Sequence, residues 1–107
     1  MKPVIVKKNV TYKSQYDTYQ VNILLGYYES NMARAIMLED AEDGSPIATA
    51  TVNIDGVASD PDEVLIKNYS ENKGILPFLQ KEGIIGEVID NVDIGYVSVQ
   101  LCKLLVR

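Results

Sequence analysis

With 107 residues, 47% of them hydrophobic and 23% charged, the chain has the size and balance of one folded domain around one hydrophobic core. Fifteen Asp and Glu against ten Lys and Arg give a net charge of −5, a field that repels nucleic acid and anionic membrane surfaces. The absence of histidine removes the commonest general base, every Ser-His or Cys-His nucleophile pair, and the usual zinc and iron ligand sets.

Residues 4–12 form a β-rich run. After Lys13-Ser14-Gln15 a second run begins, in which Tyr19, Val21, Ile23, Leu25 and Tyr27 alternate with Gln20, Asn22, Leu24, Gly26 and Tyr28. That period of two is the signature of a half-buried antiparallel strand. Glu29-Ser30-Asn31 reads as a turn, and residues 33–38 as a strand, since they are short and flanked by turns. Asp43-Gly44 closes the acidic stretch 39–44 as a hairpin signal. The strand expected at 47–54 places Ala48, Ala50, Val52 and Ile54 on one face, its small alanines leaving room for something bulky. Asp55-Gly56 ends it, Asp60-Pro61-Asp62 turns the chain, and Val64-Leu65-Ile66 forms a short buried strand ending at Lys67-Asn68.

A single helix is expected next. Asn72 or Gly74 can cap it, Ile75, Phe78 and Leu79 make an apolar stripe, and Gly83 stands where a left-handed C-terminal cap belongs. Pro77 is tolerable only near the first turn, so the helix must be short. A glycine-punctuated connection over 84–91 then leads to a final strand over 94–106, ending in Leu101, Cys102, Leu104 and Leu105. Without alternating βα units, the expected class is α+β in one domain. A mainly antiparallel sheet of about five to six strands should carry the short helix on its alanine face.

Little chemistry is available. There is no GxxxxGK[ST] phosphate loop and no GxGxxG fingerprint. The acids at 39–43 resemble a calcium loop superficially, but Ala41 and Ala50 stand where oxygen ligands are required. Cys102 is the sole cysteine, set among leucines, and reads as a buried inert thiol. No catalytic residue, cofactor or metal is expected. Only Val4, Ile5 and Val6 separate the N-terminal lysines, too few for a signal-peptide core, so a cytoplasmic location is expected.

Two surfaces carry binding potential. Between Glu39 and Glu63 lie eight of the fifteen acids and no Lys or Arg, so Asp40, Glu42, Asp43, Asp60, Asp62 and Glu63 are expected to gather on one side of the sheet. Such a face can imitate a phosphate backbone and dock into a basic channel, although acidic turns also serve simply as solvated loops. At the other end, Lys2, Lys7, Lys8 and Lys13 interleave with Tyr12, Tyr16 and Tyr19. This mixture suits single-stranded nucleic acid, but in an acidic chain half-buried tyrosines of a strand pair are the better reading. At the strand-to-helix junction Ser70 and Asn72 can satisfy free helical amides. A ligand there would be an anion, drawn also by Lys67 or Lys73.

The stretches SPIATATVNIDG (45–56), DEVLIKNYSENKGILPFLQKEGII (62–85) and GYVSVQLCKLL (95–105) resemble a family of short uncharacterised proteins, a domain of unknown function, from gut bacteria, their phages and conjugative elements. The resemblance covers about the C-terminal two thirds, carries no catalytic residue, and departs at Pro77. It implies a mobile-element context in which small acidic proteins inhibit host defence machinery. The expected function is therefore a non-enzymatic binding protein of a phage or mobile element. It would inhibit a host defence or nucleic-acid-handling complex, in the anti-CRISPR or anti-restriction manner, through its acidic surface. The partner would be a host protein, such as a nucleic-acid-binding effector, rather than nucleic acid or membrane. An alternative is a protein that sequesters an anionic nucleotide at Lys67, Ser70, Asn72 and Lys73, and a third is a structural or maintenance role in the element. Exposed sheet edges leave a homodimer as one way to protect them.

Overall fold

Alternation of apolar and polar residues drives the chain into two antiparallel sheets. The computed structural model describes residues 3–54, 57 and 60–106, so Lys2 and the expected Asp55-Gly56 turn lie outside the described residues. The first sheet has the order β1-β2-β3-β4, with β1 spanning Val4–Lys13, β2 Thr18–Tyr27, β3 Arg34–Asp40 and β4 Pro46–Thr49. The second has the order β5-β7-β6, with β5 spanning Glu63–Ile66, β6 Ile85–Ile94 and β7 Val97–Leu104. One helix, α1 (Ile75–Lys81), follows a short 3-10 turn, Ser70–Asn72. The α+β class is as expected; the described strands number seven in two sheets rather than five or six in one.

The alternation read in β2 holds for its inner face, where Val21, Ile23 and Leu25 are buried with Ile36 and Leu38 of β3. The expectation that its other face is open is corrected over the middle of the strand. Leu24 and Gly26 are covered, and a Cβ on Gly26 would stand 3.2 Å from Met37 Cε and 3.3 Å from Pro3 Cβ. Asn22, on that same outer face, is buried without being orphaned: its Oδ1 accepts from Asn9 N at 3.0 Å and its Nδ2 donates to Glu39 Oε2 at 2.9 Å. Asn9 reaches it from an irregularity in β1, where the pairing register shifts between Lys7 and Val10 and Asn9 adopts φ 53.

The strand expected at 47–54 is broken at Ala50, and the break joins the sheets. Ala50 N donates to Ile36 O of β3 at 2.8 Å, while Ala50 O accepts from Lys67 N, just past β5, also at 2.8 Å. Thr51 then bridges to Ile66 and Val52 N donates to Leu65 O, so the chain leaves the first ladder and enters the second. Thr51, which the alternation sets opposite the alanine face, is buried: its Oγ1 accepts from Ile36 N and lies 2.9 Å from Tyr28 Oη.

The two sheets thus form a rolled surface whose free edges are β1 and β6, and α1 lies between those edges. Phe78 packs on Tyr12 with ring centroids 4.9 Å apart, α1 packs on β6, and Lys7 Nζ on β1 reaches Glu82 Oε1 at 2.9 Å. Ile75 and Leu79 enter one core cluster with Ala50, Val64, Ile66, Cys102 and Leu104. The helix stripe, the position of Pro77 in the first turn and the left-handed Gly83 (φ 76) are as the sequence implied.

The connection expected over 84–91 is instead most of β6, and the final strand is shorter than 94–106, because a turn at Gly95 and Tyr96 divides the segment into a hairpin. β6 hides from pattern reading because Glu87, Asp90, Asn91 and Asp93 face solvent on an edge strand.

Candidate functional site

The β3–β4 turn is built from its own carboxylates. Asp40 Oδ1 accepts from Glu42 N at 2.8 Å and Asp43 N at 3.3 Å, and Asp43 Oδ1 accepts from Ser45 N at 2.9 Å and Ser45 Oγ at 2.7 Å. Gly44, at φ 75, closes the turn by donating to Asp40 O. Bonds from the Ser45 amide, then from its hydroxyl, pull the Asp43 carboxyl below its ordinary range, which keeps it ionised. Glu42 stands exposed between them and borders a shallow depression of about 520 Å³ with Lys8, Asn9, Gln20 and Asn22. The result is a rigid, solvent-facing anionic turn.

Asp60 uses the same device, its Oδ1 accepting from Asp62 N at 2.9 Å, while Glu63 opens β5. The structure does not gather the two acidic turns on one side. The segment from Pro46 to Val52 runs antiparallel first to β3 and then to β5, which puts Asp40 beside its beginning and Glu63 beyond its end. By that register Asp40 stands opposite Ser45 and Glu63 opposite Ile54, nine positions apart, which is roughly 30 Å of extended chain at about 3.3 Å per residue. Asp40, Glu42 and Asp43 form one site, and Asp60, Asp62 and Glu63 another.

At the strand-to-helix junction the expected anion site is taken up by the fold itself. Asn68 caps the helix: its Oδ1 accepts from Gly74 N at 3.1 Å and Leu76 N at 3.0 Å. Ser70 and Asn72 do not serve as those caps. Asn72 is 2% exposed and its Nδ2 donates to Thr49 O at 2.7 Å, bolting the turn to β4. Ser70, at φ 56, offers its carbonyl to Gln15 Nε2 at 2.6 Å and to Lys73 N at 3.2 Å. Lys67 Nζ is paired with Glu71 Oε1 at 2.5 Å, and this bond, with further ones from the Glu71 amide and Ser70, holds the Glu71 carboxyl down at about 2. Of the four residues expected to draw an anion, Ser70 and Lys73 are exposed, Lys67 is half-buried and Asn72 is buried. Asn68 escaped sequence reading because it lies six or more positions before the amides it serves, outside the usual capping window.

The lysine and tyrosine end is likewise largely structural. Lys7 donates to Glu82 O as well as to its carboxylate, Tyr12 is 2% exposed, and its ring stacks near Tyr19 with centroids 6.4 Å apart. A buried ring cannot stack on a base, whereas Tyr16 on the β1–β2 turn stands free in solvent. Cys102 is fully buried, as expected, and burial pushes its thiol up to about 11. Among the described residues no group of three His, Cys, Asp or Glu is placed to hold a metal, and no helix is long and apolar enough to cross a membrane. Comparison of the chain with protein-family models, with curated proteins and with solved structures yields no match.

Proposed function

We propose that the chain is a non-enzymatic binding protein of a phage or mobile element that inhibits a host defence or nucleic-acid-handling complex by docking its anionic β3–β4 turn onto a basic surface. The observation that carries this reading is the turn's preorganisation. Asp40 and Asp43 are fixed by backbone amides, so their charges face a partner without further ordering of the loop. The charge is also largely uncompensated: two ion pairs, Lys7–Glu82 and Lys67–Glu71, are formed among the described residues, and neither involves the turn. A fixed negative patch speeds encounter with a basic site and competes there with a phosphate backbone.

The separation of the acidic groups narrows the proposed contact to Asp40, Glu42 and Asp43. Nucleotide sequestration near Lys67 and Asn72 is the weaker reading, since those groups already have protein partners. The test is phage plating on bacteria that express the protein beside an active nuclease-based defence. The parent is expected to restore plaques, and Asp40→Asn, Glu42→Gln, Asp43→Asn, which keeps the turn's acceptors but removes its charge, is expected not to. Equal rescue by both would refute the turn as the inhibitory contact.

A further inference from the structure

The two free edges of the rolled surface are not equally covered. At β1, Lys7 reaches Glu82 and Tyr12 packs on Phe78 of the helix. At β6, α1 covers only the beginning, where Gln80 Nε2 donates to Gly86 O at 3.1 Å, and residues 87–91 are all exposed. Register shifts between Ile85 and Asp90 give way to regular pairing with β7 from Asp90 to Ile94. Ile94 and Val97 flank a two-residue turn with Gly95, at φ 69, in its first central position, so they form the hydrogen-bonded pair that closes the hairpin. Bonded and non-bonded pairs alternate along an antiparallel ladder, which turns the N–H and C=O groups of Asn91 and Asp93 away from β7. Side-chain contacts bear this out. Gln100 donates to Asn91 and Ser98 to Asp93, as the closer non-bonded pairs permit, and Asn91 N donates to Asp90 Oδ1 at 2.8 Å rather than to β7. Asp93 N, Asp93 O and Asn91 O remain as a template for one more strand.

The charge of that edge selects its occupant. Glu87, Asp90 and Asp93 lie along it, no Lys or Arg occurs between Ile84 and Cys102, and neither ion pair among the described residues involves these acids. A second copy of β6 would lay acids against acids, whereas an extended segment bearing Lys or Arg would neutralise them. Tyr96, fully exposed at the turn, offers its ring face to the same cations. We propose that β6 binds an extended basic segment of a partner protein. The segment adds to the sheet as an outer strand through the main-chain groups of Asn91 and Asp93, pairs its cations with Asp90 and Asp93, and sets an apolar side chain beside Val92. This edge shares no residue with the β3–β4 turn and is independent of the function proposed above.

The test is a ¹H–¹⁵N NMR titration of the full chain with the peptide acetyl-Val-Lys-Val-Thr-Lys-Thr-amide. Saturable shifts over residues 88–94 are expected, with exchange of the Asp93 amide hydrogen slowed about tenfold or more. Two control peptides should show neither effect: one with Glu in place of Lys, and one N-methylated at every residue, which keeps the cations but loses its residues' N–H donors. Asp90→Asn with Asp93→Asn should weaken binding about three- to tenfold. Asp93→Pro, tolerated because that N–H lies outside the ladder, should abolish binding while the Val99 and Cys102 amides stay protected from exchange. Shifts centred on residues 40–43, equal binding of either control peptide, or no saturable shift would overturn the assignment. So would a dimer of the free protein that sedimentation detects and Asp93→Pro dissolves.

Discussion

The β3–β4 turn and the 67–76 junction are both short, polar and rich in groups that could hold a ligand, yet they spend those groups differently. In the turn, Asp40 and Asp43 accept from their own backbone and keep their charge toward solvent. In the junction, Asn68 serves the helix amides, Asn72 reaches Thr49 of another strand, and Lys67 is neutralised by Glu71. Composition alone cannot separate these cases. What separates them is what the bonds leave over: the turn's carboxylates keep a charge that no ion pair among the described residues meets, whereas in the junction Lys67 is paired locally, Asn68 is spent on the helix and Asn72 reaches a distant strand.

Substitutions sharpen that contrast, beginning with the largest effect. Asn72→Ala removes a buried amide and strands the Thr49 carbonyl, so urea unfolding should show a loss of roughly 2 to 3 kcal/mol at unchanged m-value. Asn68→Ala deletes the helix cap and should cost about 1 kcal/mol, with Asn68→Asp, which keeps the acceptor, recovering most of it. Tyr12→Phe removes an unpaired buried hydroxyl and should leave stability equal or higher by up to about 1 kcal/mol. Glu42→Gln touches no described bond of the turn and should change stability by less than about 0.5 kcal/mol.

Acid titration draws the same line by pH. The folded-state carboxyls of Glu71, near 2, and of Asp43 lie below their ordinary values, so each favours the folded state above the ordinary carboxylate range. That contribution is lost as pH falls through the folded values. Both groups are solvent-exposed, so the loss should be small. Carboxyl ¹³C shifts followed from pH 5 downward should show Glu71 and Asp43 protonating below the ordinary carboxylate range.

The fold was legible where one residue sees one environment. β2 announced itself because Val21, Ile23 and Leu25 face a single core, and α1 because Pro77 fits only a first turn and Gly83 readily takes the left-handed conformation that ends a helix. The break at Ala50 was not legible, since the alternation through Ala48, Ala50 and Val52 runs on unchanged while the hydrogen-bond partner switches from β3 to β5. β6 was missed for the opposite reason: its register shifts at Ile85/Val88 and Val88/Asp90 confine the alternation to 91–94, too short a stretch to reveal a ten-residue strand. For the candidate site, the run of acids was visible but its division was not, because the distance between Asp40 and Glu63 depends on the direction in which 46–52 crosses the two sheets.

The most direct measurement is an affinity pull-down of the tagged protein from bacterial lysate, run beside two variants: Asp40→Asn, Glu42→Gln, Asp43→Asn, and Lys67→Ala, Lys73→Ala. If the anionic turn is the docking surface, mass spectrometry will find a nucleic-acid-handling complex retained by the parent and by the lysine variant but lost from the turn variant. Retention by the turn variant with loss from the lysine variant would contradict the account and return the binding site to the junction.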